Sequence, residues 1–281
     1  AQLYRFAVAD VASEAFRPRA ISLVLAGGVF AGLAGPQLAD WGEYLISSQQ
    51  FMGGFLFMIA VALLAALALM FLSIPNLTKK QLEGPQRPLL EIMKQPVFIA
   101  AAVSATIAQT VMNFLMTATP IAMIHICGHS FGSMTSVIGW HTVAMFAPGF
   151  FTGNLIRKFG EIKMITAGLI LEGACIAIAL AGIEVMNFWL AMFLLGVGWN
   201  FTFTASTSLM TTAYTPAERG KTQGMMNQII YTVVAIGSLS SGAFIHFFGW
   251  DWVNVGAIPL LLVAAIVTFW YASGQRKTAQ T

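Results

Sequence analysis

Long apolar runs separated by short polar breaks set the layout of this chain. Eight runs can be marked, at about 20–39, 51–73, 97–124, 134–156, 164–183, 188–213, 223–247 and 252–272. Each reaches the roughly 20 residues an α-helix needs to cross the hydrocarbon core of a bilayer. The pattern predicts an all-α polytopic membrane protein with eight transmembrane helices. The longest break, about 74–95, holds Pro75, Gly84, Pro85 and Pro88, which stop any helix, and it separates two runs from six.

Charge gives the breaks a direction. Arg5, Arg17 and Arg19 precede the first run; Lys79, Lys80, Arg87 and Lys94 follow the second; Arg157, Lys158 and Lys163 follow the fourth. Arg219 and Lys221 follow the sixth, and Arg276 and Lys277 close the chain, which accounts for all 14 Lys and Arg. The intervening breaks carry only Asp40, Glu43, Glu184, Asp251 and a few histidines. Under the positive-inside rule the basic loops, and with them both ends of this segment, are cytoplasmic.

Composition fixes the solvent. Of the residues 58% are hydrophobic and 9% charged, against roughly a quarter charged in an ordinary soluble domain. So few charges cannot cover a water-exposed surface, so lipid is the expected partner. The net charge of +3 is spread along the chain, which gives no footprint for nucleic acid. Cys127 and Cys175 lack metal-ligand spacing, so neither a metal site nor a cofactor is expected.

A repeat spaced six runs apart sharpens the layout. Phe16-Arg17-Pro18-Arg19 leads into run one, and Glu218-Arg219-Gly220-Lys221 leads into run seven. Small residues follow each: Gly28, Gly32 and Gly35 in one, Gly237, Ser238, Ser240, Ser241 and Gly242 in the other. Gly153-Asn154-Leu155-Ile156-Arg157-Lys158-Phe159-Gly160-Glu161-Ile162-Lys163 resembles the loop motif of major facilitator superfamily transporters. Arg157 stands where an aspartate is usual there, and Lys158 and Glu161 also depart from the pattern. Thr215-Pro216-Ala217-Glu218-Arg219-Gly220 resembles the short basic turn before that family's eleventh helix. Ala31-x-x-x-Gly35-Pro36 is a loose relative of the glycine-proline motif of its antiporters. Met116-Thr117-Ala118-Thr119-Pro120 and the stretch from Trp140-His141 to Pro148 resemble a bacterial subgroup, some members of which are linked to vitamin uptake.

The resemblance implies two six-helix halves joined by a long cytoplasmic loop. On that plan residues 1–73 hold the last two helices of the first half and 74–95 form the central loop. Residues 96–273 are the second six-helix half, and 274–281 are a cytoplasmic tail. The chain is then expected to be N-terminally incomplete, with the missing N-terminal helices of its parent as partners. The implied activity is secondary transport of a small organic solute by alternating access in a bacterial inner membrane, with proton coupling as an option.

Polar side chains at the bilayer midplane are costly and face a cavity or another helix. Gln109 and Asn113 share a face of run three, which corresponds to a cavity-lining helix; they bind solute or serve as amide glue between helices. Pro120 in the same run predicts a gating bend. Trp199 and Asn200 follow Gly196 and Gly198, where an indole beside an amide suits a flat or aromatic solute, or where the glycines simply permit close packing. His141 titrates, donates to an anion, or is a structural hydrogen-bonded histidine. Tyr231, one turn beyond Asn227, is a further solute candidate. Glu172 is the lone acid inside a run: a proton-coupling carboxyl, or one paired between helices. Gly153, Arg157, Lys158, Gly160 and Arg219 complete the gating and loop set. A multipass membrane enzyme needs a catalytic set and a channel needs a filter or charge ring; the sequence displays neither.

Overall fold

The computed structural model describes residues 8, 12–43, 45–46, 52–70 and 84–278. Among these residues every regular element is helical. The first half of the long break, with Pro75, Lys79 and Lys80, lies outside the described residues.

The first apolar run forms α1 (Arg17–Ala26) and α2 (Gly28–Glu43), divided by a turn at Gly27. The second run is α3 (Met52–Met70). A short α4 (Leu89–Met93) follows Pro88 and leads into α5 (Pro96–Ile121), which starts on a proline whose absent N–H would be unpaired there anyway. Pro120 removes one backbone donor near the far end of α5, and the helix widens at once into a π-turn, Ala122–Ile126.

The fourth run differs from expectation. It divides into α6 (Phe131–Phe146) and α7 (Gly149–Phe159), because Pro148 has no N–H to continue the ladder. The ladder resumes one turn later, where Thr152 N–H donates to Pro148 O at 2.8 Å. Gly160, at φ 85°, turns the chain from α7 into α8 (Glu161–Ala181), a conformation that disfavours any side chain with a Cβ. α9 (Val185–Met210) ends before a 3-10 turn, Pro216–Glu218. The last two runs form α10 (Arg219–Thr278), which changes direction at Gly249, φ 82°.

Four helical stretches, at 96–126, 161–181, 185–210 and 216–275, are long and apolar enough to cross a membrane by length and composition. The last of these contains both arms of α10. In packing, α5 lies against α10 and α9, α9 against α8 and α6, α1 against α7, and α2 against α3 and α6. Lipid gives helices no hydrophobic reason to associate, so close fit and interhelical hydrogen bonds hold such a bundle. Ser241 Oγ donating to Phe114 O at 2.7 Å, from α10 to α5, is one such bond.

The crossing between α1 and α7 is close, backbone against backbone. A Cβ placed at Gly153 would lie 2.4 Å from Arg19 Cα, and one at Gly149 would lie 2.6 Å from Ser22 O. Ser22 Oγ bridges both glycines, donating to Gly149 O and accepting from Gly153 N at 3.0 Å. Small residues four apart thus bring two backbones together, with a buried serine joining them.

Candidate functional site

The sequence candidates separate into two groups once their partners are known. Gln109 and Trp199, 90 positions apart, come together: Trp199 Nε1 donates to Gln109 Oε1 at 2.8 Å. Trp199 is fully buried, stacked on Phe203 (5.0 Å, 17°) and edge-on to Phe146 (5.8 Å, 83°). Its ring is thus occupied by neighbours, and Gln109 stands in front of it.

One stripe of α5 stays partly exposed among the described helices, with Gln109 at its buried end. Asn113, Met116 and Pro120 are half-buried and Thr117 and Ile121 exposed, at the spacing of one helical face, while Gln109 at its inner end retains 7% exposure. Asn113 Nδ2 donates to Gln109 O at 2.8 Å. Tyr231 is exposed on α10, and Asn227 one turn earlier is buried.

The second group is bound into helix packing. Asn200 on α9 accepts from Thr152 Oγ1 at 2.7 Å and donates to Met145 O at 2.6 Å, tying α9 to α7 and α6. It is fully buried and presents no surface to a solute here. His141 on α6, also fully buried, bonds Met192 O through Nδ1 at 2.7 Å, while Nε2 is sealed without a partner. Glu172 is buried between α8 and α9, where a Cβ at Gly198 would lie 2.9 Å from its Cγ. Both Glu172 carboxylate oxygens lack a hydrogen-bond partner.

Of the loop residues, Arg157 and Lys158 are exposed, the latter with its ammonium 5.2 Å from the centre of the Phe159 ring. Glu161, the motif's departing acid, accepts from Ser208 Oγ at 3.0 Å and so joins α8 to the end of α9. Arg219 is half-buried. Beside it Glu218 has zero exposure and pairs with Arg87 across the chain. The sequence reading missed that pair, although the Thr215-x-x-Glu218 spacing is a capping-box signal. Ser22 and Thr152 were also missed, since isolated hydroxyls in apolar runs carry no pattern.

Two concave surfaces lie elsewhere. A groove of about 940 Å³ runs between α8 and the second arm of α10, walled by apolar residues such as Ile170, Leu261 and Phe269. A smaller one of about 400 Å³ lies between α5 and the first arm of α10, by Phe98, Thr106 and Val233. Neither touches Gln109 or Asn113. Among the described residues no cluster of His, Cys, Asp or Glu could hold a metal ion.

The comparisons with known proteins agree on one family. The profile of the Major Facilitator Superfamily matches residues 101–280. The chain is 41% identical over 268 residues to the riboflavin transporter RfnT of Brucella anthropi, covering 94% of this chain and 67% of that protein. It is 30% identical to the uncharacterized MFS-type transporter YddS of Bacillus subtilis, over 95% of this chain and 65% of that one. A bacterial homologue of the iron transporter ferroportin, solved in its outward-facing state, shares the fold at a TM-score of 0.62 and 14% identity, over 94% of this chain and 66% of that chain. The chain thus spans about two thirds of the length of these relatives.

Proposed function

Because this chain belongs to the Major Facilitator Superfamily, a family of membrane transporters, we propose that it carries riboflavin across the bacterial inner membrane by alternating access. The observation that carries the substrate is the 41% identity to a riboflavin transporter, sustained over 94% of the chain. No covalent chemistry on the solute is required.

The proposed binding wall is the partly exposed stripe of α5. Gln109 and Asn113 supply hydrogen bonds, Pro120 and the π-turn beyond it supply the bend, and Tyr231 on α10 stands as a flanking contact. A partly exposed face bearing amides is what a solute site between two halves requires of one half. Residues 1–73 and 96–273 are read as belonging to opposite halves, with 74–95 as the joint and the basic loops cytoplasmic. The α1–α7 crossing then lies between the halves, where the transport cycle must open and close. Asn200 and His141 hold helices together in this reading, and Glu172 remains a candidate for proton coupling.

The test is uptake of labelled riboflavin by the full-length protein in proteoliposomes, with and without an imposed proton gradient. Saturable uptake that unlabelled riboflavin competes away is expected. No uptake and no binding of riboflavin, from protein of normal yield, would remove the substrate assignment.

A further inference from the structure

The Trp199–Gln109 bond determines which end of the Gln109 amide is which. Amide oxygen and nitrogen are ordinarily assigned from the hydrogen-bond network. An indole N–H can only donate, so the atom it meets must be the amide oxygen. Gln109 Nε2 therefore points away from Trp199. It has no hydrogen-bond partner among the described residues and is not one of the sealed polar atoms.

Asn113 is fixed by the opposite logic. The Gln109 main-chain carbonyl can only accept, so the Asn113 nitrogen must face it, at 2.8 Å. Asn113 Oδ1 is left without a partner and, like Gln109 Nε2, is not sealed. One turn of helix thus carries an outward donor at Gln109 and an outward acceptor at Asn113. Residues four apart sit roughly 5–6 Å apart at Cβ, close enough for two such side chains to converge on one ligand edge.

We propose that Gln109 and Asn113 read the edge of a cyclic imide, Nε2 donating to a ring carbonyl and Oδ1 accepting from the adjacent ring N–H, with Trp199 as the positioning residue that sets the polarity. This rests on the riboflavin reading above, because the flavin ring carries such an edge: an N–H at position 3 between two carbonyls. Trp199 does not touch the solute. Its indole is packed between Phe203 and Phe146, which holds the N–H in place behind Gln109.

The experiment titrates full-length protein in detergent with riboflavin and with 3-methylriboflavin, following flavin fluorescence. The methyl group removes the N–H and keeps both carbonyls. The unaltered protein should bind the methylated ligand roughly 5- to 150-fold more weakly, the range for one buried polar group left unpaired. In Asn113→Ala the two ligands should bind alike, while Gln109→Ala should weaken both by the same factor. Trp199→Phe keeps an aromatic ring and removes the donor. It should weaken binding in unaltered protein but add nothing to Gln109→Ala, whereas a purely structural role would add its cost in both backgrounds. Equal binding of the two flavins by unaltered protein would overturn the imide reading and leave riboflavin transport standing. Failure to bind riboflavin at all would overturn both, and additivity of Trp199→Phe with Gln109→Ala would remove the role given to Trp199.

Discussion

Arg87 and Glu218, 131 positions apart, form a two-pronged ion pair, Nε to Oε1 at 2.8 Å and Nη2 to Oε2 at 2.7 Å. The Arg87 backbone N–H adds a third bond to Oε1 at 2.8 Å, and Thr215 N donates to Oε2 at 2.9 Å. Arg87 Nη2 and Gln95 Nε2 both reach Ala213 O, at 3.1 and 2.9 Å, and Lys221 donates to Arg87 O. The end of the long break is thereby fastened to the turn between α9 and α10.

This clasp has a pH dependence of definite sign. The Arg87 guanidinium, aided by the backbone donors, holds the Glu218 carboxyl well below the usual carboxylate range. A depressed carboxyl stabilises the fold above its unfolded value, about 4.3, and the contribution fades as pH falls below that. Thermal melting of the detergent-solubilised protein should hold from pH 7 to about pH 5 and drop as the pH falls below about 4, and Glu218→Gln should flatten that lower part of the profile. Arg87→Ala should cost about 2 kcal/mol at neutral pH, since it strands a buried carboxylate. A melting curve indifferent to Arg87→Ala would show that the pair contributes nothing.

Glycine substitutions should separate contact from open space. Gly153→Ala drives a methyl toward the Arg19 backbone, whereas a Cβ at Gly173 meets nothing within 4 Å. Gly153→Ala should lose about 1–3 kcal/mol of stability or slow transport, while Gly173→Ala should do neither. Equal effects of the two would mean that α1 and α7 do not pack as closely as described.

Glu172→Gln keeps the shape of the side chain and removes its charge. The carboxyl is fully buried between α8 and α9, closed off from any solute. Gradient-driven accumulation and exchange of riboflavin should therefore both persist. Loss of accumulation with exchange retained would instead make Glu172 the coupling acid.

The charge pattern predicts which loops face the cytoplasm. With Cys127 and Cys175 replaced by Ala, a cysteine at exposed Lys158 should label only from the cytoplasmic side, and one at exposed Glu184 only from outside. Labelling of both from one side would break the proposed topology.

Helix existence and length were legible in the chain because they are local quantities. A run of apolar residues forms a helix wherever its own backbone bonds must be satisfied in lipid, and among the described residues each expected run is mostly helical. The exceptions were local as well: a turn at Gly27 divides the first run, Pro148 divides the fourth, and Pro120 is followed by a π-turn, none visible to a hydropathy window. Rotation of each helix about its axis was not legible, and it decided the site. Neighbouring Trp199 and Asn200 look alike as a polar pair, yet successive positions on a helix point about 100° apart. One therefore faces Gln109 on α5, while the other faces Thr152 on α7 and Met145 on α6. The same holds for Glu218, which reads as part of a basic turn until Arg87 arrives from the far side of six helices. Hydropathy records how much polarity a segment carries; only packing decides which polar atom finds a partner and which is left for a solute.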